Sequence, residues 1–160
     1  MLSVAAPVPV VATRVGLRVV LVDDREERRR LVRLVLGATG LDLLDVSEAD
    51  SGADALRVID AGGADVVLLE IQIQGCVDLI VCLRTLYPEL VIVVCSFHAG
   101  PAIKRLALDA GADCYLGKPV QCGDLYRAIV GPHQRPGRSN RATATTAVSL
   151  PQRSSIRPGV

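Results

Sequence analysis

Aromatic residues are nearly missing from this chain: 160 residues include three tyrosines, one phenylalanine and no tryptophan. Base-stacking platforms of the kind used by single-strand nucleic-acid binders are therefore excluded. Any core must be built from Val, Leu, Ile and Ala. The five cysteines (Cys76, Cys82, Cys95, Cys114, Cys122) are odd in number and show neither a CxxC pair nor a Cys/His zinc spacing. Most stand in apolar stretches, where a free thiol acts as a small buried hydrophobe. Reduced thiols in a cytoplasmic protein are expected, not a disulfide framework. Long hydrophobic runs are absent too, which excludes a membrane-spanning helix. The opening MLSVAAPVPVVATRVG lacks a positive start and is interrupted by Pro7 and Pro9, so residues 1–16 read as an N-terminal extension, not a secretion signal.

Acid is missing locally. All 17 Asp and Glu fall between Asp23 and Asp124, whereas residues 131–160 carry five of the 18 basic residues and no acid. That basic tail is rich in Pro, Gly, Ser, Thr and Arg and too poor in large apolar residues to offset its ordering entropy, so it is expected to be disordered. With a formal net charge of only +1, nucleic-acid binding through the tail is not the expected role.

Half of the residues are hydrophobic, and they cluster in five short runs: 17–22, 41–46, 66–69, 90–95 and 113–116. Runs this short, apolar on both faces and flanked by Gly, Pro or Asp, read as strands buried from both sides. Helical periodicity fills the intervals. Residues 25–36 place Leu31, Leu34 and Val35 on one face, with Arg28, Arg29 and Arg30 as a solvated face beside Glu26 and Glu27. Ser51 caps a segment carrying Ala55, Leu56 and Ile59. Residues 77–86, 101–110 and 123–130 complete the series. Fivefold strand–helix alternation predicts an α/β domain over 17–130. Its five-stranded parallel sheet is doubly wound and flavodoxin-like, in the order 2-1-3-4-5, with helices on both faces.

In such folds the working crevice lies at the carboxyl ends of the strands. There the sequence places Asp23 and Asp24, Glu70, Ser96 and Lys118. Carboxylates brought together call for a cation, and Mg²⁺ takes oxygen ligands of this kind. A lysine and a hydroxyl could hold phosphoryl oxygens. Taken singly, each has a plain structural reading: the acid pair as a helix cap, the serine as a turn, Lys-Pro as a loop.

The stretches Val20-Leu21-Val22-Asp23-Asp24, then 64–75 (ADVVLLEIQIQG) and 110–119 (AGADCYLGKP) resemble the receiver domain of bacterial response regulators. The resemblance covers Leu17 to Val130. It implies a Mg²⁺ site formed by Asp23, Asp24, the acceptor side chain at position 70 and the backbone carbonyl of Gln72. It implies a phosphoryl group delivered to position 70 by a histidine kinase and held by Ser96 and Lys118. It further implies a rotameric aromatic at Tyr115 and a cis Lys118–Pro119 peptide. Partner proteins, or a second copy, would meet the last two helices and last strand.

One departure bears on function. The acceptor position holds Glu70, whose stem is longer than that of Asp by roughly 1.5 Å, and in-line transfer is sensitive to such displacements. Glu70 would either lean toward Ser96 and Lys118 in an activated-like arrangement or pair with Lys118 and lock one conformation. Gln74 stands where the family usually has Pro, and Leu79 where it has Gly. A signalling receiver independent of phosphorylation is therefore expected, with a conventional phosphoacceptor as the alternative. No separate general acid or substrate-binding insertion is visible, so an enzyme is not expected.

Overall fold

The computed structural model describes residues 16–134 apart from Ala99. The expected extension up to Val15 and the tail from Arg135 lie outside the described residues. Five strands, β1 (Leu17–Val22), β2 (Leu43–Ala49), β3 (Val66–Leu69), β4 (Val91–Ser96) and β5 (Cys114–Gly117), alternate with five helices. These are α1 (Glu26–Gly37), α2 (Gly52–Gly62), α3 (Cys76–Leu86), α4 (Pro101–Ala110) and α5 (Cys122–Val130). All pairings are parallel, in the order β2-β1-β3-β4-β5. The Lys118–Pro119 peptide is cis.

β3 and β4 are buried along their whole length, as central parallel strands covered on both faces must be. Alternate residues feed two cores. Val20, Val22, Val67, Leu69, Ile92 and Val94 pack against α2, α3 and α4, while Val19, Leu21, Val66, Leu68, Val91 and Val93 pack against α1 and α5. Leu79 is buried, and it lies across Gly52, where a Cβ would stand 3.5 Å from Leu79 Cδ2. The start of α2 thus receives the bulk that Leu79 brings.

Two expectations are corrected. β2 begins two residues later than the apolar run and extends through Ser47, Glu48 and Ala49, which pair with Val20, Leu21 and Val22. Those polar residues are tolerated because Glu48 reaches Arg29 (2.8 Å) and Arg33 (2.8 Å) on α1. Those pairs hold the Glu48 carboxyl below its ordinary range, Arg29 contributing most. The buried face of α1 is also not the one expected. Leu36 is buried, with Val32 and Val35 partly so, whereas Leu31 and Leu34 are 60% and 66% exposed. With Phe97, Pro119 and Val120 they line an apolar groove of about 360 Å³. Past α5, Gly131–Gln134 form a 3₁₀ turn.

Arg84 ties the far end of the molecule together. Its guanidinium donates to the carbonyls of Pro88 (2.8 Å), Leu90 (2.9 Å) and Gly111 (2.8 and 3.0 Å) and to Asp113 Oδ2 (2.8 Å). Gly111 has φ +120°, and a Cβ there would stand 3.0 Å from the Arg84 side chain, so only glycine fits this corner. Arg84→Ala removes a planar five-donor fork from partly buried acceptors. It is expected to cost about 2–4 kcal/mol in urea unfolding, and Arg84→Lys should not rescue it, because an ammonium cannot reproduce the fork.

Burial pushes the thiols of Cys76 and Cys95 up to about 12. Both should resist a thiol-labelling reagent in the native protein at neutral pH, while the partly exposed Cys82 and Cys122 react. An unfolded thiol ionises near ~8.5. The stability contributed by these two residues is therefore complete below that pH and falls as pH rises toward about 12. Denaturation midpoints measured at increasing alkaline pH check the direction.

Candidate functional site

Among the described residues the buried polar or charged ones are Asp23, Glu70 and Ser96. All three stand at carboxyl ends of strands. β1 delivers Asp23, whose N–H donates to the Ala49 carbonyl (3.2 Å). Glu70 follows β3 and donates its N–H to the Val22 carbonyl (2.9 Å). Ser96 closes β4 and accepts the Lys118 N–H on its carbonyl (2.8 Å) just beyond β5. Backbone pairing of the parallel sheet therefore fixes the relative positions of the site residues.

Lys118 Nζ donates to Glu70 Oε2 (2.8 Å) and Asp23 Oδ2 (3.1 Å), bridging the two carboxylates out of water. The remaining oxygens are also occupied. Glu70 Oε1 accepts from the Gln72 N–H (3.2 Å), and Asp23 Oδ1 accepts from the Arg25 N–H (3.0 Å). Arg28 Nη1 stands 3.9 Å from Asp23 Oδ1, and Arg29 Nη1 donates to the Asp23 carbonyl (2.6 Å). The space beside Glu70 and Lys118 amounts to about 10 Å³, roughly one water at most.

Ser96 and Tyr115 are joined through His98. The His98 N–H donates to Ser96 Oγ (3.1 Å), and the Tyr115 hydroxyl donates to the His98 carbonyl. Tyr115 is buried, and burial raises its phenol above the ordinary range, with the Glu70 charge adding to the rise and the Ser96 contact opposing it. The His98 ring itself is exposed and meets the Gln72 side-chain amide (3.4 Å).

Of the residues expected at the site, Asp23, Glu70 and Lys118 therefore converge, and Ser96 and Tyr115 flank them. Asp24 faces solvent. Among the described residues no group of three or more His, Cys, Asp or Glu side chains gathers as a metal site. Two contributors escaped the sequence reading. Arg28 belongs to the pocket and not to a solvated stripe, unlike Arg30, which is exposed and stands 3.9 Å from Glu26. Phe97 is the second. Its ring centroid lies 5.4 Å from Lys118 Nζ and 5.8 Å from the Arg28 guanidinium carbon. The usable signals were the only phenylalanine standing next to Ser96 and an arginine in the first turn after the acid pair.

The comparisons with known proteins agree with this geometry. The response regulator receiver domain model matches residues 19–130, and the chain belongs to that family. The positive alginate biosynthesis regulatory protein of Pseudomonas aeruginosa is 36% identical over 132 residues, 81% of this chain and 52% of that protein. Transcriptional regulatory protein TcrA of Mycobacterium tuberculosis is 31% identical over 128 residues, 76% of this chain and 49% of that protein. The chain thus spans about half the length of the curated relatives it matches. Among solved structures, the signal receiver domain of the response regulator NarL from Mycobacterium tuberculosis superposes with a TM-score of 0.66 at 31% identity. That likeness covers 75% of this chain and 98% of the NarL domain. The chain is a two-component response regulator receiver domain.

Removing the bridging cation exposes two buried carboxylates to each other. Lys118→Ala is expected to cost about 3–5 kcal/mol in urea unfolding. The double variant Glu70→Gln/Lys118→Met should recover much of that loss, because it deletes the pair together.

Proposed function

We propose that this receiver domain signals without accepting a phosphoryl group, its state being set by the Glu70–Lys118 pair and read by protein–protein contact. The observation that carries the proposal is Glu70 itself. It stands at the acceptor position, is 2% exposed, and has one oxygen on Lys118 and the other on the Gln72 N–H. Each oxygen thus already carries a hydrogen bond with which attack on phosphorus would have to compete. The longer stem also carries the carboxylate to the lysine that would otherwise hold a phosphoryl group. Tyr115 is turned inward beside Ser96, so one arrangement of the pocket is held by side chains alone. The output surface is the face of α4, β5 and α5, next to the loop that ties Ser96 to Tyr115. Leu106 and Tyr126 stand exposed on it, and it would receive a partner protein or a second copy of this chain. The role is that of a cytoplasmic adaptor in two-component signalling, not of an enzyme.

A second reading is favoured by the retention of Ser96, Lys118 and Tyr115 around a carboxylate. Glu70 would then take a phosphoryl group from a histidine kinase with Mg²⁺, as a conventional phosphorelay receiver. One experiment separates the two. The wild type and Glu70→Asp are incubated with Mg²⁺ and a small phosphodonor such as acetyl phosphate, and acyl phosphate is read by its hydroxylamine lability. The expected outcome is no label on the wild type. Hydroxylamine-labile phosphate on Glu70 would overturn the phosphorylation-independent reading.

A further inference from the structure

The receiver resemblance implies Mg²⁺ at this pocket, and the residues as arranged do not fit it. Four charges meet there. Asp23 and Glu70 supply two negative charges, Lys118 bridges them, and Arg28 approaches Asp23 from the other side. The cluster is neutral without any added ion. Both carboxylates already have each oxygen facing an N–H or cation, and the Asp23 carbonyl is taken by Arg29. Asp24, the remaining acid, faces solvent. Mg²⁺ demands near-octahedral oxygen ligands and retains several waters. The small space beneath the pair, about 10 Å³, is lined by Leu21, Val32, Leu68 and Cys95, so no hydrated ion can sit on the core side of the carboxylates.

Phe97 explains why Arg28 stays. Its ring centroid lies 5.8 Å from the Arg28 guanidinium carbon and 5.4 Å from the Lys118 ammonium. Cation–π attraction to both lets one aromatic hold two cations that would otherwise repel. Arg28 is only partly exposed, so its charge acts on Asp23 with less screening than a free surface arginine would.

We infer that Arg28, held beside Lys118 by Phe97, takes the place of a divalent cation in this pocket, closing the Asp23–Glu70 pair to Mg²⁺. The inference deepens the function proposed above: a receiver that carries its own counter-charge has no need of the metal on which phosphoryl transfer depends. It also predicts a gain. Deleting Arg28 leaves the pocket one negative charge in excess and opens the side of Asp23 next to Asp24, where a divalent ion can enter.

The test uses the full chain with no phosphodonor present, so that its result is independent of whether Glu70 is ever phosphorylated. Manganese serves as the probe, free ion being counted by its paramagnetic resonance signal. The wild type is expected to show no saturable binding at millimolar manganese. Arg28→Met, which keeps an apolar stem in the helix, should bind one manganese at least about tenfold more tightly. Mg²⁺ should compete for that site, and adding Asp23→Asn should abolish it. Phe97→Ala should shift binding in the same direction by a smaller factor, because Arg28 is released but not removed. Two results would overturn the inference. One is saturable binding by the wild type that Asp23→Asn removes. The other is a folded Arg28→Met, verified by its circular dichroism melt, that gains no site. Should Arg28→Met unfold, Phe97→Ala decides alone: unchanged affinity refutes the proposal.

Discussion

A single ammonium group, buried between two carboxylates, sets the constraint to which the rest of the molecule answers. Lys118 joins Asp23 to Glu70 across three different strand ends. Ion pairs out of water return their desolvation cost only when geometry and hydrogen bonding are complete. The parallel sheet supplies that geometry. Val22 pairs with Leu69, and the Lys118 N–H is pinned to Ser96, so the three charged residues cannot drift apart without breaking ladder contacts. Arg25, Arg28, Arg29 and Gln72 then complete the satisfaction of the acids.

The same lysine connects the acid cluster to the β4–α4 loop. Its backbone is bonded to Ser96, and its ammonium lies against Phe97, the next residue along. One residue further, the main chain of His98 is held by the Ser96 hydroxyl on one side and by the Tyr115 hydroxyl on the other. Any rearrangement at Glu70 must therefore pass through Lys118 to the segment that precedes α4. This continuity is carried by main-chain and side-chain contacts together.

Much of this was legible in the sequence, for particular reasons. Val66–Leu69 and Leu17–Val22 were recognisable because central parallel strands leave no polar alternation to confuse them. Ser51 was recognisable as a cap, and it accepts the Asp54 N–H at 3.3 Å. Glu70 and Lys118 could be paired because topology alone brings the ends of β3 and β5 to one edge of the sheet. The α1 face was misread, since Leu31 and Leu34 obey helical periodicity but lie outside the contact made by Val32, Val35 and Leu36. β2 was misplaced because an edge strand can absorb Ser47 and Glu48 once arginines on α1 receive the acid. Arg28 was hidden by its neighbours: three consecutive arginines look alike in a sequence, yet a helix points them in three directions.

The corner built by Arg84 and Gly111 has a mechanical consequence. It fastens the C-terminal end of α4, since the helix runs into Gly111 and that carbonyl is gripped twice by one guanidinium. Toward the opposite end, Ile103 is partly buried against the core that also takes Ala107, so the helix is held along its inner face while Leu106 stays exposed.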